Sequence, residues 1–402
     1  MKRFIILVID SFGIGAMDDV ATERPQDLNA NTYKSTLLGS EISLPNMEKL
    51  GIANAANFET ENIKFSLNAN YGKSNLKHFG CDTFYGHQEL MGTFPKKPII
   101  EPFCNWIDCV EKELIKKGYK VERYGEKEKV LIINECATVG DNLEADLGQV
   151  YNITGTLDLI SYEELLKIGK IVREIVKVPR VITFGGENVT LEEIKRAYEF
   201  KKPNFAGINA PKSGVYNKGY RVQHMGYGVD EKVQLPTIIG DKIKTVLIGK
   251  VADIVKNKFG ESVPIVDTQE VMECLIKKID ENKTSFICAN VQETDLAGHQ
   301  ENKMKYQEKL VVVDRYIPEI LSRLDEEDIF VLTADHGNDP SIGHSNHTRE
   351  QVPVLVYNKK ISKIEIGELS SLADIGQSAA EYFGYKLPDN GVSFLKMLKP
   401  NK

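Results

Sequence analysis

Carboxylates and imidazoles follow apolar runs in three separate parts of this 402-residue chain. Asp10 ends the run over residues 3–9, and Asp295 with His299 follows the run over 284–290. Asp335 and His336 close the run over 329–332, and His347 lies in the loop after them. Three carboxylates, three imidazoles and a nearby hydroxyl are enough donors for two divalent cations about 4 Å apart. Mixed Asp and His ligation suits manganese or zinc better than magnesium, which prefers oxygen. Adjacent residues of a strand point to opposite faces, so Asp335 and His336 can serve one centre only where the strand ends and the chain turns. A single Asp-His pair would read as a polar turn. Recurrence at three strand ends is what points to a metal centre.

The hydroxyl is Thr83, within Gly80-Cys81-Asp82-Thr83-Phe84-Tyr85-Gly86-His87-Gln88-Glu89. Asp82 or Thr83 is placed to cap a helix that carries His87 and Glu89. A hydroxyl at a helix start faces backbone donors and the positive end of the helix dipole, which suits a group that carries phosphate. In isolation such a Thr is an ordinary cap. Of the seven His, His78 and His344 are expected to be structural, and His224 has no comparable setting.

These residues need a scaffold that gathers strand ends. The runs over 3–9, 244–249, 284–290, 329–332 and 352–357 are mostly apolar without polar alternation, as in parallel strands buried on both faces. Helical patterns over 268–281, 303–324 and 374–383 alternate with them, and Pro318 is expected to kink the second. The class is therefore α/β, a doubly wound and mostly parallel sheet, with ligands at the carboxyl ends of the strands. Residues 96–225 change character and read as an inserted, smaller α/β domain, leaving 1–95 and 226–402 as the core. Within the insertion, 106–117 and 161–177 read as helices, 129–134 and 181–184 as strands, and 201–220 as a loop. Gly13 and Gly15 let the turn after Asp10 approach the site, but they do not form a dinucleotide-binding fingerprint.

Composition narrows the partners. The chain is 42% hydrophobic and 27% charged, with a formal net charge of −7, ordinary for a soluble globular protein. The negative charge argues against nucleic acid or an anionic membrane as partner and leaves room for local basic sites that bind small anions. No apolar run approaches the ~20 residues that span a bilayer. The run after Met1-Lys2-Arg3 is too short for a signal peptide and Asp10 interrupts it, so a cytoplasmic location is expected. Six scattered Cys show no CxxC and read as reduced thiols.

Several segments resemble phosphopentomutases of the alkaline phosphatase superfamily. Val8-Ile9-Asp10-Ser11-Phe12-Gly13-Ile14-Gly15-Ala16 is similar to their opening, and Asp82-Thr83-x-x-Gly86-His87-x-Glu89 to their nucleophile loop. Ile248-Gly249-Lys250-Val251-Ala252-Asp253-Ile254 resembles a further family segment. Thr333 to Pro340, with His347-Thr348-Arg349-Glu350-x-Val352-Pro353, is nearly identical to the C-terminal metal motif. Ala373-Asp374-Ile375-Gly376 and Gly391-x-Ser393-Phe394-Leu395 match the tail. The likeness runs in order through the whole chain and is weak only in the insertion.

The resemblance implies an alkaline phosphatase-like core with a mobile cap, and two manganese ions, with zinc or another divalent metal still open. One ion would be held by Asp295, His299 and His347, the other by Asp10, Asp335 and His336. Thr83 would be the phosphorylated nucleophile, Lys250 a contact to substrate phosphate, and His87 and Lys202 further substrate contacts. The implied reaction interconverts ribose or deoxyribose 1-phosphate and 5-phosphate, with room for a bisphosphate activator. The chain departs from the family at several points. Asp295 to His299 is one residue shorter, like the Asp-x-x-Gly-His of cofactor-independent phosphoglycerate mutases. Gln88 replaces a Trp. The cap segment that contacts the sugar stands here as Tyr151-Asn152-Ile153-Thr154-Gly155-Thr156. Lys201 or Lys202 replaces an Arg, and Gln223 beside His224 replaces another. A metal-dependent phosphatase, a mutase for a different small phosphate, and a non-catalytic sensor of sugar phosphate are the alternatives.

Overall fold

The computed structural model describes residues 2–144 and 147–398. The chain divides into two compact units, one formed by residues up to Pro95 and from Asp230 onward, the other by Lys96–Val229.

The first unit is built on an eight-stranded sheet. In spatial order its strands are Glu261–Val263, Lys244–Gly249, Thr284–Val291, Lys2–Ile9, Ile329–Thr333, Val352–Tyr357, Asn70–Ser74 and Glu365–Leu369. Pairing is parallel except on the two sides of Val352–Tyr357. The architecture is thus α/β with a large, mostly parallel sheet. Lys2–Ile9 lies inside the sheet and is buried from Arg3 onward, which is why its sequence shows no polar alternation. The one charged side chain in that buried run, Arg3, is neutralised by Asp328 at 2.5 Å. Asn70–Ser74 and Glu365–Leu369 were not legible as strands. They are short, carry Gly and charge, and sit at one end of the sheet.

Helices cover the sheet for simple reasons. In Thr268–Glu281, Asp267 accepts the Glu270 N–H at 2.9 Å and caps the first turn. Its buried Val271, Met272, Leu275, Ile276 and Ile279 repeat at helical spacing. Lys303–Ser322 buries Tyr306, Leu310, Val313, Ile317 and Ile320 on one face and continues through Pro318.

The second unit carries a six-stranded sheet in the order Arg221–Gly226, Arg180–Gly186, Val150–Thr156, Ala137–Asp141, Val130–Ile133, Val121–Tyr124. Helices Ile107–Lys116 and Tyr162–Ile175 pack on it around Leu131, Val139, Ile153, Leu165 and Ile168. Ser161 caps the second helix by accepting the Glu164 N–H. The loop expected over 201–220 is corrected: Tyr198–Lys201 and Phe205–Ile208 form a two-stranded antiparallel sheet, and Asn209 caps a short helix, Ala210–Ser213. The apolar residues of Phe205–Ile208 are few and lie among Gly, Pro and Asn, so their periodicity is masked. Tyr227 N–H still bonds Pro179 O at 2.9 Å, so the chain leaves this unit after Val229.

The first unit also shows how buried charge joins its helices. Asp314 accepts N–H groups of Asn46 at 3.1 Å and Met47 at 2.7 Å, which start the helix Pro45–Leu50. Asp314→Ala strands those donors and is expected to cost ~1–3 kcal/mol. The readout is a lower urea midpoint at unchanged slope, and an unmoved midpoint would contradict the assignment.

Candidate active site

Asp10 leaves the strand Lys2–Ile9 through a sharp turn. Its N–H donates to Val291 O at 3.1 Å, and Ser11 adopts a left-handed backbone, φ 67°. That conformation is uncommon for a residue with a Cβ. It is held by the Ser11 N–H donating to Asp335 Oδ1 at 3.0 Å and by the Ser11 hydroxyl 3.1 Å from the Tyr306 hydroxyl. Asp295 and His299 sit four apart on the helix Glu293–His299, which starts where the strand Thr284–Val291 ends. Four-residue spacing puts them on one face, with Nε2 and Oδ2 3.4 Å apart. Asp335 and His336 follow Ile329–Thr333. Reciprocal bonds between the Gly337 and Thr348 backbones, 3.0 and 2.8 Å, fold the loop so that His347 returns to the same place.

Six side chains therefore converge. Donor atoms of Asp10, Asp335 and His336 lie within 4.8 Å of one another, and so do those of Asp295, His336 and His347. His336 belongs to both groups, whereas the resemblance assigned it to one. His299 adjoins the second group, its Nε2 2.9 Å from His347 Nε2. The His336 and His347 rings stack with centroids 4.1 Å apart.

The donor set fits metal cations. His299 Nδ1 lies 2.6 Å from Ser345 O, and His336 Nδ1 2.9 Å from Gly337 O. A carbonyl only accepts, so each Nδ1 carries hydrogen, and a neutral ring then points the Nε2 lone pair into the centre. Asp10 Oδ2 and Asp335 Oδ2 are buried and receive no hydrogen bond. Lys250 Nζ lies 3.3 Å from Asp10 Oδ2, and the His87 ring Nδ1 lies 3.2 Å from Asp335 Oδ2. Two unsatisfied buried oxygens at converging carboxylates are what a cation site presents.

Thr83 opens the helix Thr83–Leu90 behind its cap Asp82, whose carboxylate accepts the Tyr85 N–H at 3.3 Å. Its hydroxyl lies 2.6 Å from His336 Nε2, 3.1 Å from Lys250 Nζ and 3.5 Å from Asp10 Oδ1. Gly86 permits this approach, since a Cβ there would sit 2.7 Å from Asp335 O. Lys250 also reaches Asp295 Oδ2 at 3.2 Å. His87 is wholly buried, with Nδ1 3.0 Å from Thr83 O, so it lies behind the centre. Lys202 lies in the exposed turn of the hairpin in the second unit, and Lys201 Nζ donates to Leu143 O at 2.6 Å.

Glu350 was not singled out by chemistry, yet the site is built around it. Wholly buried, it accepts the Thr32 and Thr348 hydroxyls, both at 2.7 Å, and the N–H groups of Thr32 and Gly15. A Cβ on Gly13 or Gly337 would collide with its side chain. Its contiguity with His347 and the glycines at 13 and 337 are the signals that could have found it.

Charge is strongly redistributed here. Burial alone would raise Asp335 and Asp295, but His336 and His87 beside the first, and His299 and His347 beside the second, hold both below the usual carboxylate range. Burial opposes charge on His336, but Asp335 and Asp10 outweigh it and push this imidazole up to about 10. Burial and then His336 drive His347 down.

Residues 2–387 match the family described as the Metalloenzyme superfamily. The chain belongs to that superfamily. Among solved structures, phosphoglycerate mutase from Leishmania mexicana shares 11% identity over 98% of this chain and 97% of its own, with a TM-score of 0.44. The PH0037 protein from Pyrococcus horikoshii shares 15% over 93% and 94%, TM-score 0.41. TAB5 alkaline phosphatase shares 11% over 96% and 98%, TM-score 0.37. Membership of the superfamily agrees with the metal-ready donor set. Among the described residues, no helix is long and apolar enough to cross a membrane.

The raised His336 gives this metalloenzyme a pH signature. At pH 7 the metal-free ring holds a proton that must leave before Nε2 can ligate. Manganese binding is expected to release at least one proton per chain and to tighten as pH rises from 7 toward 10. Calorimetry in two buffers of different ionisation enthalpy reads this directly, and buffer-independent heats would contradict it.

Proposed function

We propose that the chain is a two-metal phosphomutase of the phosphopentomutase type. It would interconvert a sugar 1-phosphate and 5-phosphate, ribose or deoxyribose phosphate first among them. The observation that carries this reading is the Thr83 hydroxyl, buried at a helix start and within hydrogen-bond reach of His336 Nε2 and Lys250 Nζ. A threonine that merely opens a helix behind its Asp82 cap has no need of an imidazole and an ammonium on its oxygen.

In this reading Asp10, Asp295, His299, Asp335, His336 and His347 hold two divalent cations, manganese by preference. When bound, such cations supply a lowered hydroxyl pKa and charge neutralisation on transferring oxygens. Thr83 accepts a phosphoryl group on Oγ1, with the first N–H groups of its helix facing the new anion. His336 Nε2, 2.6 Å from the hydroxyl, would as a ligand place one cation beside the Thr83 oxygen. Lys250, kept charged by Asp10 and Asp295 despite its burial, offers its ammonium to the phosphate. His87 supports Asp335 from behind. The phosphothreonine would pass that group to the free hydroxyl of a sugar monophosphate, and the bisphosphate so formed, turned over in the site, would return its other phosphoryl group to Thr83 Oγ1. A mutase must keep water from the phosphothreonine, and the inserted unit would serve as the cap, bringing Lys202 to the substrate.

The sugar itself is less constrained. By the resemblance, Ile153 and Gly155 replace a hydroxyl and a carboxylate of the segment that contacts the sugar. A site that loses such partners shifts its preference by orders of magnitude, so a phosphorylated substrate other than ribose fits the same chemistry. Supplying a panel of sugar monophosphates with manganese and a trace of bisphosphate is expected to give isomer without free phosphate. Phosphate alone would make the protein a phosphatase. Thr83→Ala is expected to abolish transfer with metal content unchanged, and full turnover in that variant would remove Thr83 from the chemistry.

A further inference from the structure

The segment that leads into Thr83 is gripped from two sides by buried groups of opposite charge. On one side stands Arg349, two residues beyond His347 and only 5% exposed. Every N–H of its guanidinium is used. Nε and one Nη2 hydrogen go to the Asp19 carboxylate at 2.9 and 2.8 Å. The other three go to backbone carbonyls of one short stretch: Leu76 O at 3.0 Å, His78 O at 2.9 Å and Gly80 O at 2.5 Å. On the other side stands Glu89, near the end of the Thr83 helix and 1% exposed. Its carboxylate accepts the N–H groups of Lys77 at 3.0 Å and His78 at 2.7 Å. It also accepts the Ser371 hydroxyl and the Leu372 N–H, and its Oε2 lies 2.7 Å from His78 Nδ1.

A cation on alternate carbonyls and an anion on the intervening amides match the peptide dipoles of residues 76–80. Such charge-assisted bonds are about twice as strong as neutral ones. Both clamps are tied to the centre. Arg349 shares its loop with His347, and Glu89 shares its helix with Thr83. Cys81, between the clamped stretch and Thr83, has its thiol 3.2 Å from His347 O.

We propose that Arg349 and Glu89 are positioning residues that clamp the backbone of residues 76–80 and so fix Thr83 relative to the loop carrying His336 and His347. Neither is among the groups that reach the Thr83 hydroxyl, which are Asp10, His336 and Lys250. The consequence for transfer rests on the functional reading above, and the clamp itself does not. An Arg side chain is required because a lysine ammonium has three donors and no planar fork, and cannot bond three carbonyls and a carboxylate at once. Glu89→Gln keeps the shape and removes the charge.

The test uses the full-length, manganese-loaded protein and the variants Arg349→Lys and Glu89→Gln. Asp19→Asn is added because Asp19 is 39% exposed and can be changed without disturbing the core. Three quantities are read: metal per chain, amide hydrogen exchange over residues 76–83, and the rate of phosphate uptake on Thr83 from a sugar bisphosphate. Arg349→Lys is expected to keep its metals, exchange these amides at least tenfold faster, and lose on the order of 100-fold in uptake rate, the usual effect of a misplacement near 1 Å. KM should hardly move. Asp19→Asn should shift exchange and rate in the same direction by less. Wild-type exchange and wild-type rate in Arg349→Lys and Glu89→Gln would overturn the clamp. So would a rise in KM alone, or loss of metal in step with rate. If the wild-type protein takes up no phosphate on Thr83, the functional reading falls, and the exchange measurement still decides the clamp.

Discussion

Three carboxylates forced together away from water are the constraint on which this structure turns. Asp10, Asp295 and Asp335 are at most 3% exposed, and oxygens of each lie near His336. Like charges 4 Å apart repel by about 4 kcal/mol at the effective dielectric of a protein edge. Such a cluster persists only where positive charge compensates it. In the protein alone, Lys250 and a protonated His336 supply that charge. Both also contact the Thr83 hydroxyl. The groups that compensate the carboxylates are thus the same ones that reach the threonine hydroxyl.

The fold's task is to gather the ends of separate strands and keep them there. The parallel run Thr284–Val291, Lys2–Ile9, Ile329–Thr333 lays three carboxyl ends side by side. A strand end alone does not aim a side chain, and a second layer of buried polar groups does that work. Ser11 and Tyr306 fix the turn at Asp10. Glu350 draws the loops after Asp10 and after His336 together, at a cost visible in its own ionisation: burial pushes it up to about 7. Small residues make room for this layer. Gly13 and Gly337 give Glu350 its space, and Gly86 lets the Thr83 helix meet Asp335.

What could be read from sequence follows from what leaves a local trace. Runs followed by Asp or His are visible because a parallel strand buried on both faces is mostly apolar until it ends, and this is why Asp10, Asp295 and Asp335 stood out. The helices over 268–281 and 303–322 show their period and their caps. The sharing of His336 between two donor groups leaves no such trace, since it depends on how the turn after Thr333 rotates one ring. Arg349 and Glu350 were visible only as letters next to His347. Their partners at residues 13–32 and 76–80 are joined to them by tertiary contact alone. The strands Asn70–Ser74 and Glu365–Leu369, and the hairpin within 198–208, escaped because a few apolar residues among Gly and charged ones carry too little period.

The central proposal is that these six side chains hold two cations in one centre, with His336 lying between the two donor groups. Electron paramagnetic resonance of a manganese titration tests it most directly. Two equivalents per chain are expected to bind, and the second should convert the signal of an isolated ion into that of a spin-coupled pair, as expected for two ions about 4 Å apart. Binding that stops at one ion, or two ions that stay magnetically independent, would contradict the account.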